Sequence, residues 1–453
     1  MRSADPPRDH VTPYDRFAWS DEQVSAWLAL GAQRRELEAY FGAAEYRSLA
    51  ALARRARAAP AAGALRVFVV PGIMGSQLGL PRAAPLPADI LWLDPLDIQL
   101  GRLAALRLAG PTRIVSLGVV LFSYLRLKLY LRAQGFAVEF HDYDWRLPAA
   151  QLGQALAARL RAARPARVAV VAHSMGGLVA RAALALPDTG HVERVVLLGT
   201  PNCGSFAAVQ ALRGTYAVVR KVARLALRGS AEDLAAEVFN TFPSLYDLLP
   251  SGACTGGADL CDAQLWPSAG PGPRPELLAS ARTARARLAA ADARFAQVIG
   301  VGQETVTRVR RRGGDFVYTL TRAGDGTVPA VSAALPGTVT AYARVAHSDL
   351  TRDAQVGAAV VDFLRCGRTR RLPQRWQSAS RACAEVSDAQ LRASGNDKVD
   401  WGALDPEQRR QFLQNLNEPP RFRLRVPRRA AGGASLARTV PTHTRISATR
   451  SRR

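Results

Sequence analysis

Ser174, Asp325 and His347 are the residues of this chain whose types and order could together perform chemistry. A serine hydroxyl is a poor nucleophile at neutral pH. A neutral imidazole can take its proton, and a buried carboxylate can fix the imidazole tautomer and stabilise the imidazolium that forms. Such a trio attacks acyl carbonyls. Ser174 lies in V-A-V-V-A-H-S-M-G-G, residues 168–177, an apolar β-branched run followed by small residues that open a helical stretch from Leu178 to Leu186. Strand, sharp turn and helix together present a nucleophilic serine, and the turn is crowded, so the positions two before and two after must be small. Here they are Ala172 and Gly176, with a methyl group at the first position where glycine is usual. By itself the pentapeptide is also compatible with a glycine turn that happens to carry a serine.

The elements that must position this trio follow from the apolar pattern. Asp325 lies in A-G-D-G-T-V-P, residues 323–329, after the strand-like run Phe316 to Leu320, and His347 follows the run Val339 to Val345. A Gly-Asp-Gly turn can be purely structural; its place after a strand favours the chemical role. Of the six histidines, His10 and His443 lie in polar tails, His141 precedes the serine, His173 adjoins it and points elsewhere, and His191 ends the elbow helix. His347 remains. Earlier, Val67 to Val70 runs into P-G-I-M-G-S at 71–76, where glycines after a strand let the backbone turn and offer N–H groups to a developing oxyanion. An ordinary Pro-Gly turn explains that segment equally well. In Leu91 to Pro95, an exposed Trp92 would suit a lid and a buried one would be core.

Between these points, helical spacing over Leu121 to Ala133, a strand at Phe136 to Phe140 and a leucine stripe at Leu152, Leu156 and Leu160 complete an alternation of strands and helices. Alternation implies a mostly parallel sheet flanked by helices, with reactive groups at the carboxyl ends of its strands. With the order Ser, Asp, His, this predicts an α/β-hydrolase fold carrying a helical cap or lid insertion. The expected divisions are a helical extension at 1–62, core at 63–205, cap or lid at 206–290, core again at 291–367, and a C-terminal extension at 368–453. Ser20 and Gln23 have capping-box spacing at the start of the first helix.

Composition bounds the remainder. The chain has 453 residues, 48% of them apolar, enough for one large core with additions. The net charge of +24 resembles a nucleic-acid or membrane signal, but only three of the 61 basic residues are lysine, Lys128, Lys221 and Lys398. That imbalance fits a biased genomic composition, and no specific nucleic acid is expected as a partner. The tail from about residue 421 holds ten arginines and no acid, which predicts disorder and either a solvated segment or peripheral contact with an anionic membrane surface. Five cysteines without a C-x-x-C indicate no zinc site; Cys254 with Cys261, or Cys366 with Cys383, would pair only in an exported protein. Met1 to His10 is polar with no apolar h-region after it, and the apolar stretch Ile114 to Leu125 is too short for a bilayer. The expectation is a cytoplasmic or peripheral membrane protein that needs no metal or cofactor, so chelators should leave its activity intact.

Six segments together resemble the lecithin:cholesterol acyltransferase-like family, which includes lysosomal-type phospholipase A and phospholipid:diacylglycerol acyltransferases. They are residues 71–76, 91–94, 143–146, 172–177, 199–202 and 324–329, within a span from about Val67 to Phe363. The resemblance implies Ser174 as nucleophile, Asp325 and His347 as its partners, and an oxyanion hole from the backbone N–H groups of Ile73 and Met175. It also implies a phospholipid or similar lipid ester as acyl donor, with a lid near Trp92 that contacts lipid. The loop between Gly75 and Trp92 lacks the cysteine pair found in animal members, and residues 1–62 and 370–453 match nothing in the family. Soluble small esters or thioesters, and a catalytically idle fold used for binding through its arginines, are the alternative functions.

Overall fold

Strand Val168–His173 is buried along its whole length and lies inside a six-stranded sheet. Across the sheet the order is Val339–Ala343, Phe295–Gly300, Val192–Leu198, Val168–His173, Arg66–Val70 and Ala137–Phe140, and every neighbouring pair is parallel. Val170 sits opposite Phe68 on one side and Val195 on the other. Continuous apolar runs suit strands covered on both faces. The covering helices include Leu121–Ala133, Ala149–Ala162, Met175–Leu184 and Ala354–Cys366. This is an α/β-hydrolase fold. The computed structural model describes residues 11–60, 64–108, 110–254, 259–377, 384–394 and 397–416.

The chain enters the sheet at Arg66–Val70, goes outward to the edge strand Ala137–Phe140, then crosses back to Val168–His173. That reversal opens a crevice between two adjacent strand ends, where ligands of open α/β sheets bind. The Gly72 loop and Ser174 flank it.

One strand was expected in the wrong sheet. Asp315–Thr321 pairs antiparallel with Thr305–Arg312 and Ala384–Ser387 in a separate three-stranded sheet, so the segment leading to Asp325 lies outside the parallel core. A short apolar run reports burial, not the sheet it joins. A second small sheet, of Ser76–Leu80, Asp89–Trp92 and Val115–Val119, follows the Gly72 loop. The apolar stretch Ile114 to Leu125 thus divides between a strand and the start of helix Leu121–Ala133.

The N-terminal extension forms helices Asp21–Leu30, Arg34–Phe41 and Ala43–Ala58. Ser20 and Gln23 make the capping box, and Gly42, at φ +86°, breaks the last two helices apart. Val24, Leu28, Leu37 and Leu49 share one buried cluster with Leu125 and Leu129. Lys128, itself buried, pairs with Asp21 and with Glu22. The insertion at 206–290 is largely helical, from Phe206–Leu212 through Pro275–Ala284. It is tied to the C-terminal extension through the buried Arg213–Asp388 pair at 2.8 Å, with Tyr318 Oη donating to the same carboxylate at 2.6 Å. The C-terminal extension ends, among the described residues, in helix Pro406–Gln414 and the following turn. The basic tail from 421 and Cys383 lie outside the described residues. Cys254 and Cys261 are both free thiols, as are Cys203 and Cys366, so the pairing considered for Cys254 and Cys261 is not made. No helix among the described residues is long and apolar enough to cross a membrane.

Candidate active site

Ser174 stands between the end of strand Val168–His173 and the start of helix Met175–Leu184, with φ +54° and ψ −129°. An L-residue at positive φ is strained and persists only where its surroundings force it. The force here is close packing. A Cβ added to Gly176 would lie 2.4 Å from the Pro71 carbonyl oxygen and 2.5 Å from that of Val70, so only glycine lets the elbow helix sit against the Gly72 loop. Ala172 is fully buried and is accommodated in the strand.

The fold brings the three sequence-selected residues into one hydrogen-bonded line. His347 Nε2 is 2.8 Å from Ser174 Oγ, and His347 Nδ1 is 2.8 Å from Asp325 Oδ2. Asp325 is 1% exposed, and its other carboxylate oxygen accepts from the backbone N–H groups of Thr327 and Val328 at 3.0 and 2.7 Å. With Asp325 ionised, Nδ1 carries the proton and donates, which leaves Nε2 as an acceptor aimed at the serine hydroxyl. His347 N–H also donates to the Asp325 backbone oxygen at 2.9 Å, so acid and base are fastened by backbone as well as by side chain.

A second histidine does work that sequence reading missed. His173 Nε2 lies 3.0 Å from the His347 carbonyl oxygen and must donate to it, which makes Nδ1 an acceptor for the Tyr124 hydroxyl at 3.0 Å. The Tyr124 oxygen in turn accepts from Gly72 N–H at 2.9 Å. Burial, with His347 alongside, pushes the His173 imidazole down to about 3, so it stays neutral. A chain of hydrogen bonds therefore links the Gly72 loop to the His347 segment beneath the nucleophile. Its only sequence signal was a histidine next to the serine.

The Gly72 loop is braced by other motif residues. Tyr143 Oη donates to the Pro71 carbonyl at 2.5 Å, Trp145 Nε1 to Ser76 O at 3.0 Å and Trp92 Nε1 to Met74 O at 3.1 Å. Trp92 is 1% exposed and edge-packed on Trp145, the buried one of the two readings, and it lines the cavity at Ser174. It is core, held there because its indole N–H finds a backbone acceptor in an otherwise apolar setting. Ile73 lines the same cavity as Ser174, and Met175 follows Ser174 directly in the chain. Met175 is the first residue of its helix, so its N–H has no intrahelical acceptor.

A cavity of about 70 Å³ opens on Ser174 and His347, with Ile73, Met74 and Trp92 in its walls. The 206–290 insertion contributes Tyr216 to this lining, and the C-terminal extension contributes Leu413 and Leu416.

Residues 153–241 match the family model of a PGAP1-like alpha/beta domain. The matched segment holds the elbow strand, Ser174 and the helix after it, and stops before Asp325 and His347. It is a different family from the one the six motifs resemble. Among solved structures, Tle4 in the Tle4-Tli4 complex is similar at 15% identity and a TM-score of 0.43, over 66% of this chain and 98% of that one. The mature form of the Bacillus licheniformis lipase BlEst2 is similar at 16% identity and a TM-score of 0.35, over 68% of this chain and 94% of that one. A search of curated proteins finds no match.

Proposed function

We propose that this chain is a serine-dependent acyl hydrolase or acyltransferase acting on lipid esters, of the kind its six motifs resemble. The observation that carries the reading is the line Ser174 Oγ, His347, Asp325, with 2.8 Å at each link, of which Ser174 and His347 line a cavity. His347 Nε2 takes the serine proton as Oγ attacks the ester carbonyl, and Asp325 stabilises the imidazolium. The tetrahedral oxyanion is received by the N–H groups of Ile73 and Met175. Collapse expels the alcohol, which takes the proton from His347 Nε2, and leaves the acyl group on Ser174. Water or a second alcohol, deprotonated by His347, then attacks the acyl-enzyme and releases acid or a new ester.

A second reading, an esterase or thioesterase for short soluble acyl groups, is favoured by the small volume at Ser174, about 70 Å³. Both readings are tested by incubating the protein, beside Ser174→Ala, with labelled phospholipid vesicles containing a long-chain alcohol or a sterol. Free fatty acid lost in the variant identifies a hydrolase, and a new ester a transferase. Turnover of short soluble esters with no product from vesicles would replace the lipid reading by the second. No product from any substrate would sink both.

A further inference from the structure

Beside the small cavity at Ser174 lies a larger one, of about 330 Å³. The two share four wall residues, Leu93, Val120, Phe122 and Leu413, so a thin apolar partition divides the nucleophile's cavity from its neighbour. The neighbour's other walls come largely from the parts of the chain outside the α/β core. Tyr14, Phe17, Ala39 and Tyr40 belong to the N-terminal extension, and Pro406, Arg409 and Gln414 to the C-terminal helix. Helix Pro406–Gln414 therefore roofs the larger cavity, and its Leu413 reaches the smaller one as well.

The lining is apolar with a cationic part. Of the three arginines that line it, Arg410 is already paired with Glu407. Arg409 donates to the backbone oxygens of Trp401 and Gly402 at 3.0 and 2.9 Å, contacts that hold it without neutralising it. Arg16 is exposed, lies over the Phe17 ring and has no carboxylate partner among the described residues. Asp94 is fully buried and turned to its own work, capping helix Pro95–Gln99, with Thr12 donating to it. Two charges without a carboxylate partner among the described residues, at the edge of an apolar cavity, complement a ligand that is apolar along its length and acidic at one end.

We infer that the larger cavity is a binding site for an anionic amphiphile, whose alkyl chain lies along Phe17, Tyr40 and Phe122, whose acidic group meets Arg16 and Arg409, and whose ester reaches Ser174 past the shared partition. The inference rests on the acyl-transfer reading of Ser174 and resolves the size problem that reading faces. The terminal extensions are then parts of the substrate site.

The test uses full-length Ser174→Ala protein titrated calorimetrically with dodecyl phosphate, an uncharged dodecyl glycoside and inorganic phosphate. Dodecyl phosphate should bind one per chain, and Ala39→Trp in the same background, which fills the cavity from an exposed position, should weaken it at least tenfold. Arg16→Gln should weaken dodecyl phosphate several-fold and narrow its advantage over the glycoside. Inorganic phosphate binding as tightly as dodecyl phosphate, or binding indifferent to both substitutions, would overturn the site. Ala39→Phe serves if the tryptophan variant unfolds on heating much below the parent. In the Ser174 enzyme, Ala39→Trp should lower the ratio of long-chain to short-chain ester kcat/KM about tenfold, and an unchanged ratio would overturn the inference. Dodecyl phosphate binding intact in a protein that turns over no ester would instead remove the acyl-transfer reading and leave the binding site standing.

Discussion

Ser174 carries its own strain, and that strain is measurable apart from chemistry. At φ +54° and ψ −129° a side chain is disfavoured by about 1–3 kcal/mol, and glycine is not. Ser174→Gly and Ser174→Ala should both lose acyl transfer, yet the glycine variant should be the more stable in urea unfolding by about 1 kcal/mol or more. Equal stability would mean that the elbow is relaxed. His141 and His173 give a pH dependence of known sign. Burial pushes both imidazoles down, to about 4 and about 3. The unfolded chain takes up these protons near 6.5 and the folded chain does not, so stability is full above that pH and falls as pH drops from 6.5 towards 4. Neither ring nitrogen of His141 has a partner among the described residues, so His141→Leu removes a titrating group without breaking a hydrogen bond seen there. Comparing urea midpoints at pH 7.5 and 5.0, the variant should lose less than the parent. At this scale Ser174, Asp325 and His347 were legible because their order and their places after apolar runs constrain them. The part played by His173 was not, because a side chain adjoining the nucleophile can point anywhere until the tertiary fold gives it partners.

Elements rather than residues hold the Gly72 loop. Strand Asp89–Trp92, the segment after Ala137–Phe140 and helix Leu121–Ala133 each send one polar tip to it, from Trp92, Tyr143 and Tyr124. Motifs that looked separate along the chain thus converge on one turn. Tyr124→Phe deletes the acceptor for Gly72 N–H and the donor to His173 while keeping the ring. Displacement of this loop should lower kcat by about 10- to 100-fold with a smaller change in KM. A proportionate rise in KM at unchanged kcat would mark Tyr124 as a binding residue instead of a positioning one. The parallel core was readable because β-branched runs and leucine stripes alternate. The strand before Asp325 was assigned to that core wrongly, since its pairing partners, Thr305–Arg312 and Ala384–Ser387, have polar or mixed patterns that periodicity does not connect.

Across the whole molecule, sequence reading separated core, cap and extensions, whereas the folded chain interleaves them. Helices of the N-terminal extension share the core of helix Leu121–Ala133, and the Arg213–Asp388 pair, with both side chains wholly buried, joins the insertion to the C-terminal extension. A buried pair costs dearly when one partner is lost, because the other charge is stranded. Asp388→Ala should therefore destabilise the fold by about 3–5 kcal/mol, read as a lowered urea midpoint. The net charge of +24 leaves two readings of the tail from 421, a solvated segment or a contact with an anionic bilayer, and truncation separates them. With roughly 1 kcal/mol per basic residue near an anionic bilayer, a tail that contacts membrane predicts strongly weakened vesicle binding once residues 421–453 are removed, and binding unchanged by that truncation would exclude a membrane role for the tail.

The roof over both cavities is made from helix Pro406–Gln414 and Leu416, which leave the ribosome after Ser174, Asp325 and His347. During synthesis the reactive line can therefore assemble while its pocket is still open to water. Chains interrupted between Ala393 and Pro406 would carry every reacting group and no ceiling, and any acyl-enzyme they formed would drain to water. In a transferase, fidelity towards the alcohol acceptor would then be acquired after the reacting groups, with helix Pro406–Gln414.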